Sequence, residues 1–201
     1  MDLPLFSLLR RLLLLGCVFA APLQAATIVL DAGHGGHDPG GIPGQRYSEK
    51  AAALDVTLRI RAKLTAAGHR VVMTRSTDTF VELSERVAIA KRTPGKPIFV
   101  SIHFNSAANR DACGIETYLY DKRGAALAQA IHRRVVAVSG GPDRGIRRAR
   151  FYVLRYNSRP SVLVELGFLT NSQEGAKISR SEAYRQKLAD AVSAGIRSVV
   201  R

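Results

Sequence analysis

The chain has 201 residues, 46% hydrophobic and 23% charged, with 17 Gly and 8 Pro, proportions of one ordinary globular domain rather than a disordered chain. Two Cys exclude a disulfide-stapled miniprotein, and the single continuously apolar segment, near the N-terminus, excludes a multi-span membrane protein. With 30 Lys+Arg against 16 Asp+Glu, the net charge is +14 and the pI near 10.6, so a polyanionic partner is expected: nucleic acid, an anionic membrane face or an acidic cell-wall polymer.

Residues 1–25 read as an export signal. Arg10 and Arg11 supply the positive start, Leu12 to Ala21 the apolar stretch, and Leu23-Gln24-Ala25 precedes a cut before Ala26. The stretch is short for a bilayer span, and Pro22 would break a longer helix. An alternative is lipoprotein processing at Cys17 within Leu14-Leu15-Gly16-Cys17, although Leu15 is bulky for that position. Export to the periplasm or cell wall favours wall polymer over nucleic acid as the anion met. Residues 26–201 are then one catalytic domain.

Thr27 to Leu30 reads as a buried strand, followed by a loop to Tyr47. Ser48 can cap a helix from Glu49 to about Ala67, stopped by Gly68. Arg70–Thr74 reads as a strand, Val81–Lys91 as a helix, Ile98–Ile102 as a strand after the Pro-Gly-Lys-Pro punctuation, Gly114–Tyr120 as a strand and Ala125–Val138 as a helix. A basic loop, Gly140–Arg150, leads to strand-like segments at Phe151–Leu154 and Val162–Leu166, and a helix over Glu182–Val200 closes the chain. Alternating strands and helices, with strands that are continuous Val/Ile/Leu runs, imply a single α/β domain with a mostly parallel sheet and helices on both faces.

Sites in such sheets form beyond the carboxyl ends of strands. The first strand ends in Asp31-Ala32-Gly33-His34-Gly35-Gly36-His37, the third in Ser101-Ile102-His103-Phe104-Asn105, the last in Val164-Glu165-Leu166-Gly167, and Glu49 opens the first helix. His34, Glu49 and His103 brought to one edge would suit Zn²⁺ and leave a fourth position for water. Glu165 is the natural carboxylate to take the water proton and pass it to a leaving amine. No HExxH helix or Cys cluster is present, and a polar residue directly after a buried strand gives His103 the best local case. His34 can equally be part of a Gly-rich turn.

The segments Ile28–Gly36, Ser48-Glu49-Lys50, Ser101–Asn105 and Leu163–Asn171 closely resemble the zinc-dependent N-acetylmuramoyl-L-alanine amidases of the amidase-3 type, and Thr74–Asp78, Arg144-Gly145-Ile146 and Phe151–Arg155 extend the likeness over the chain. The resemblance implies one Zn²⁺ on His34, Glu49 and His103, Glu165 as the catalytic carboxylate, and a six-stranded sheet. It implies hydrolysis of the amide joining the muramoyl lactyl group to the first L-alanine of the stem peptide, in peptidoglycan or its fragments. The implied partners are peptidoglycan or muropeptides and not nucleic acid, for a monomer without a transmembrane helix in its mature form. Some relatives insert a helix that blocks the zinc between the second His and the catalytic Glu; the interval here is filled by strand, helix and strand, so an open site is expected, with no separate wall-targeting domain. The alternatives are a zinc peptidase cutting within the stem and a non-catalytic wall-binding module.

Other residues invite a role. His37 is read as a surface or substrate-side group, Asp31 as either orienting His34 through its second nitrogen or capping the loop, and Glu116 as an alternating strand residue. Arg75, Asp78 and Arg86 are expected to form a structural ion-pair set, as in the family, and His69 and His132 to be solvated. Cys113 is expected to be a small filler. The basic loop Arg144–Arg150, with Lys122, Arg123, Arg133 and Arg134, is either a docking surface for stem carboxylates or wall polymer, or a solvated face.

Overall fold

A computed structural model describes residues 25–43, 45 and 47–200; the export signal, apart from Ala25, and Cys17 lie outside them. The strands are β1 (Thr27–Ala32), β2 (Arg70–Met73), β3 (Ile98–Asn105), β4 (Ile115–Leu119), β5 (Asp143–Arg148) and β6 (Ser161–Phe168). The α-helices are α1 (Glu49–Ala66), α2 (Leu83–Arg92), α3 (Ala125–Ser139), α4 (Tyr152–Arg155), α5 (Ser172–Arg180) and α6 (Glu182–Arg197). One six-stranded sheet runs β2-β1-β3-β6-β4-β5. Its pairings are parallel except for β4 against β6, as the continuous apolar strands predict.

Alternation along the strands sorts the core into two layers. Ile28, Leu30, Val100, Ile102, Val162 and Val164 face the large cluster built with α1, α3 and α6. Val29, Phe99 and Leu163 face a smaller cluster that takes Val87 and Ala90 from α2 and Val153 and Leu154 from α4. Because α2 and α4 are short, that second face is less fully covered. The residues that continue its alternation toward the strand ends are Asp31, Ser101, His103 and Glu165. The sheet thus delivers polar side chains to the face that two small helices leave accessible. Among the described residues no helix is long and apolar enough to cross a membrane.

Three expected elements differ. Phe151–Leu154 is not a strand: the Phe151 carbonyl accepts from Leu154 N and Arg155 N, closing the helical turn α4, and this local closure overrides the β-propensity of Phe-Tyr-Val-Leu. The basic loop Gly140–Arg150 contains β5, an edge strand, where arginines are at home because one side of the ladder stays open to water. The terminal helix is shorter than expected, and α5 precedes it. Asn171 caps α5 by accepting from Gln173 N and Glu174 N at 3.0 and 3.1 Å, and Ser181 caps α6 by accepting from Tyr184 N at 3.1 Å.

Candidate active site

β1 ends in a glycine-rich turn that must bend sharply. His34 itself sits at φ 58°, in the left-handed region that non-glycine residues rarely adopt. Two buried guanidiniums hold it there. Arg86 donates to the Ala32 and His34 carbonyls, each at 2.7 Å, and pairs with Asp31 Oδ1 at 2.7 Å. Arg75 donates to the Ala32, Gly33 and Lys50 carbonyls at 2.9, 2.7 and 2.8 Å, tying the turn to the start of α1. Asp78 accepts from Gly36 N at 2.9 Å and from Lys50 Nζ at 2.6 Å. The expected ion-pair set is therefore corrected in kind: Arg86 pairs with Asp31, Asp78 with Lys50, and Arg75 binds carbonyl oxygens.

This turn brings His34 over the first residue of α1. His34 Nε2 lies 3.1 Å from Glu49 Oε1, and His103 Nδ1, from the end of β3, lies 2.8 Å from the same oxygen. One ligand atom from each of His34, Glu49 and His103 falls within 4.8 Å of the others. Two imidazole nitrogens and a carboxylate oxygen at this separation fit a Zn²⁺ ion with an open position. Burial pushes the Glu49 carboxyl up, but the hydrogen bonds and charges of His103 and His34 outweigh it and bring it down to about 2. The other nitrogen of His34, Nδ1, pairs with Asp38 Oδ2 at 2.7 Å. Asp38 therefore fixes the ring's orientation, a role the sequence reading offered to Asp31. Asp31 instead accepts from Thr74, Ser101 and Arg86, each at 2.7 Å.

Glu165 pairs in register with His103 on one side and with Glu116 on the other, so all three side chains share a face. Glu165 Oε2 is buried without a hydrogen-bond partner. Its burial, with the charges of Glu49 and Glu116, holds its carboxyl well above the usual range. The β3–β6 register shifts between His103 and Asn105, a local irregularity of the kind that re-aims side chains beside active sites. Glu116 is buried and accepts from Asn105 Nδ2 at 2.8 Å, Tyr118 OH at 2.7 Å and Arg144 Nε at 2.8 Å. Sequence reasoning undervalued it, because nothing along the chain tells which strand β4 will join.

A cleft of about 600 Å³ opens at these groups, lined also by Phe80, Leu83, Phe151, Tyr152, Asn105 and Ser106. His34 and His103 keep 23% and 17% side-chain exposure within it. His37 is exposed and leans on Phe80, ring centroids 4.0 Å apart. The remaining histidines correct the expectation of solvation: His69 is buried, with Nδ1 accepting from Ala26 N at 3.3 Å, and His132 is buried between Thr117 Oγ1 and Asp143 Oδ1. Cys113 is a half-buried free thiol.

An α/β sheet that gathers a His–Glu–His set beside a half-buried carboxyl whose Oε2 has no hydrogen-bond partner suits a hydrolase. The family model of N-acetylmuramoyl-L-alanine amidase matches residues 28–198, and the chain belongs to that family, hydrolases of the amide between N-acetylmuramic acid and the L-alanine of the peptidoglycan stem. Among its relatives, the Bacillus subtilis protein YqiI is 42% identical over 89% of this chain and 87% of its own length. N-acetylmuramoyl-L-alanine amidase LytC of B. subtilis is 39% identical over 90% of this chain but only 36% of its own length. The catalytic domain of the amidase CwlV from Bacillus (Paenibacillus) polymyxa superposes with a TM-score of 0.82 at 35% identity, covering 88% of this chain and 99% of that one. Amidase AmiC2 of Nostoc punctiforme gives 0.79 at 42% identity, covering 85% and 94%.

Proposed function

We propose that residues 26–201 form an exported, zinc-dependent N-acetylmuramoyl-L-alanine amidase, released by cleavage after residues 1–25, that acts as a monomer in the periplasm or wall on peptidoglycan or muropeptides. The observation that carries this reading is the convergence of His34, Glu49 and His103 beside the unpartnered Glu165 carboxyl. His34, Glu49 and His103 would hold the ion, and Zn²⁺ in that set supplies Lewis acidity toward a carbonyl and acidifies water.

The chain's own residues do the rest. The muramoyl lactyl carbonyl is oriented in the cleft that Phe80, Leu83 and Phe151 line together with His103 and Glu165. Glu165 accepts a proton from the attacking water and delivers it to the departing L-alanine nitrogen. A carboxyl raised by burial is matched to both halves of that task. Asp38, on His34 Nδ1, keeps the ring turned with Nε2 toward Glu49. The exposure of both imidazoles supports a site that opens directly to substrate.

Mass spectrometry of digested muropeptides tests the reading. Release of an intact stem peptide with a free L-alanine amino group is expected; a cut within the stem would favour a peptidase, and no cut would favour a wall-binding module.

A further inference from the structure

The polar row on the open face of the sheet does not end at Glu165. Directly paired residues on neighbouring strands point to the same face, so His103 on β3, Glu165 on β6 and Glu116 on β4 lie side by side. Tyr118, two residues beyond Glu116, shares that face and pairs in register with Arg147 on the edge strand β5. The row therefore runs from a metal ligand, past the general base, to a pair of arginines.

The charges along it do not cancel. Glu116 is already satisfied by Asn105, Tyr118 and Arg144, and Arg144 is further fixed over the Phe168 ring, 5.0 Å from its centroid. Arg147 leans toward the same carboxylate but stops 3.8 Å from Glu116 Oε1, with 53% of its side chain exposed. Two guanidiniums thus share one carboxylate, and Arg147, whose Nε donates to the Arg144 carbonyl at 3.3 Å, makes only the longer of the two carboxylate contacts. Its guanidinium stands close to β4, one strand spacing of about 4.8 Å from β6. An extended peptide advances about 3.3–3.6 Å per residue, so a peptide whose first nitrogen lies at Glu165 and whose chain runs toward the β5 edge carries its second residue across β4, the strand whose Glu116 Arg147 reaches.

Resting on the amidase reading, we propose that Arg147 receives a carboxylate carried by the second residue of the stem peptide and so makes the enzyme prefer an acidic stem over one amidated at that position. Arg144 and Glu116 position this contact; they are not offered as the receptor, because each is already paired.

Two soluble muropeptides that differ only in whether the second-residue carboxyl is free or a carboxamide provide the test, with wild type, Arg147→Gln and Arg147→Lys. An exposed ion pair of this kind is worth about a fivefold preference. Wild type is expected to favour the free acid by about that factor in kcat/KM, mainly through KM. Arg147→Gln is expected to cleave both at the rate of the amidated substrate, and Arg147→Lys to keep most of the preference. Equal cleavage of the two by wild type, or a preference that survives in Arg147→Gln, overturns the inference while leaving the amidase reading intact. If wild type releases no intact stem from either substrate, the amidase reading fails and this inference with it.

Discussion

Glu165 is the residue on which activity and stability pull in opposite directions. Its carboxyl is raised first by burial, then by the charges of Glu49 and Glu116, so the folded chain holds a proton that the unfolded chain gives up above the ordinary value of 4.5. Its stabilising contribution is therefore full at acid pH and is lost as pH rises through the raised value. Glu165→Gln is expected to lower turnover by about 10²–10⁴-fold while raising the melting temperature of the metal-free protein at neutral pH; a variant less stable than wild type would contradict the burial argument. Asp38 acts one step back from the ion. Asp38→Asn is expected to weaken Zn²⁺ affinity by about 10–100-fold, read by competition with a chelating dye, with the fold unchanged by circular dichroism.

The turn after β1 shows how much of the site is built by elements rather than by the ligands. Asp31 is pushed up by burial but brought down more strongly by Arg86, Thr74 and Ser101, so this pair stabilises the fold above the ordinary carboxylate value of 3.8 and is lost as pH falls through the lowered one. Arg86→Met strands that charge in the interior and is expected to cost about 3–5 kcal/mol in a denaturant titration, with partial recovery when Asp31→Asn is added. Gly33 presses on the neighbouring strand end: a Cβ there would meet the His103 ring, at 2.5 Å from Nε2 and 2.7 Å from Nδ1. Gly33→Ala is therefore expected to displace His103 and reduce metal binding more than it reduces stability. A variant that binds Zn²⁺ normally would show that the ring yields without cost.

The same elements explain what could be read in advance. His34 follows β1, Glu49 opens α1, and His103 and Glu165 interrupt the apolar runs in the carboxyl-terminal halves of β3 and β6, and the parallel sheet then fixes where they meet. Asp38 was missed because it lies mid-loop without a periodic neighbour. Helix α5 was missed because Ser172–Arg180 buries only one large apolar residue, Ile178, although Asn171 with Glu174 three residues on carries a capping signature. Glu174 uses its carboxylate elsewhere, accepting from Phe168 N and Gly114 N, each at 2.8 Å. Long-range roles of that kind leave no local trace, and β5 was obscured because Asp-Arg-Gly-Ile-Arg-Arg lacks the alternation of a covered strand.

Taken as a whole, the molecule presents a net charge of +14 and an arginine-bearing edge strand to its surroundings. Such a charge raises encounter rates with an anionic polymer and is screened over about 8–10 Å at ordinary salt. Turnover on intact peptidoglycan is expected to fall with added salt more steeply than turnover on a small muropeptide, which meets fewer of these charges; parallel salt profiles would remove the long-range role of the basic surface.

The claim on which the rest depends is that His34, Glu49 and His103 together hold one ion required for hydrolysis. Titrating Zn²⁺ into chelator-treated protein, while following both bound metal and release of intact stem peptide, measures it directly. Activity is predicted to return in proportion to occupancy, reach its plateau at about one ion per chain, and fail to return in His34→Ala or His103→Ala. Full turnover by folded protein that holds no metal, or undiminished activity in those variants, would contradict it.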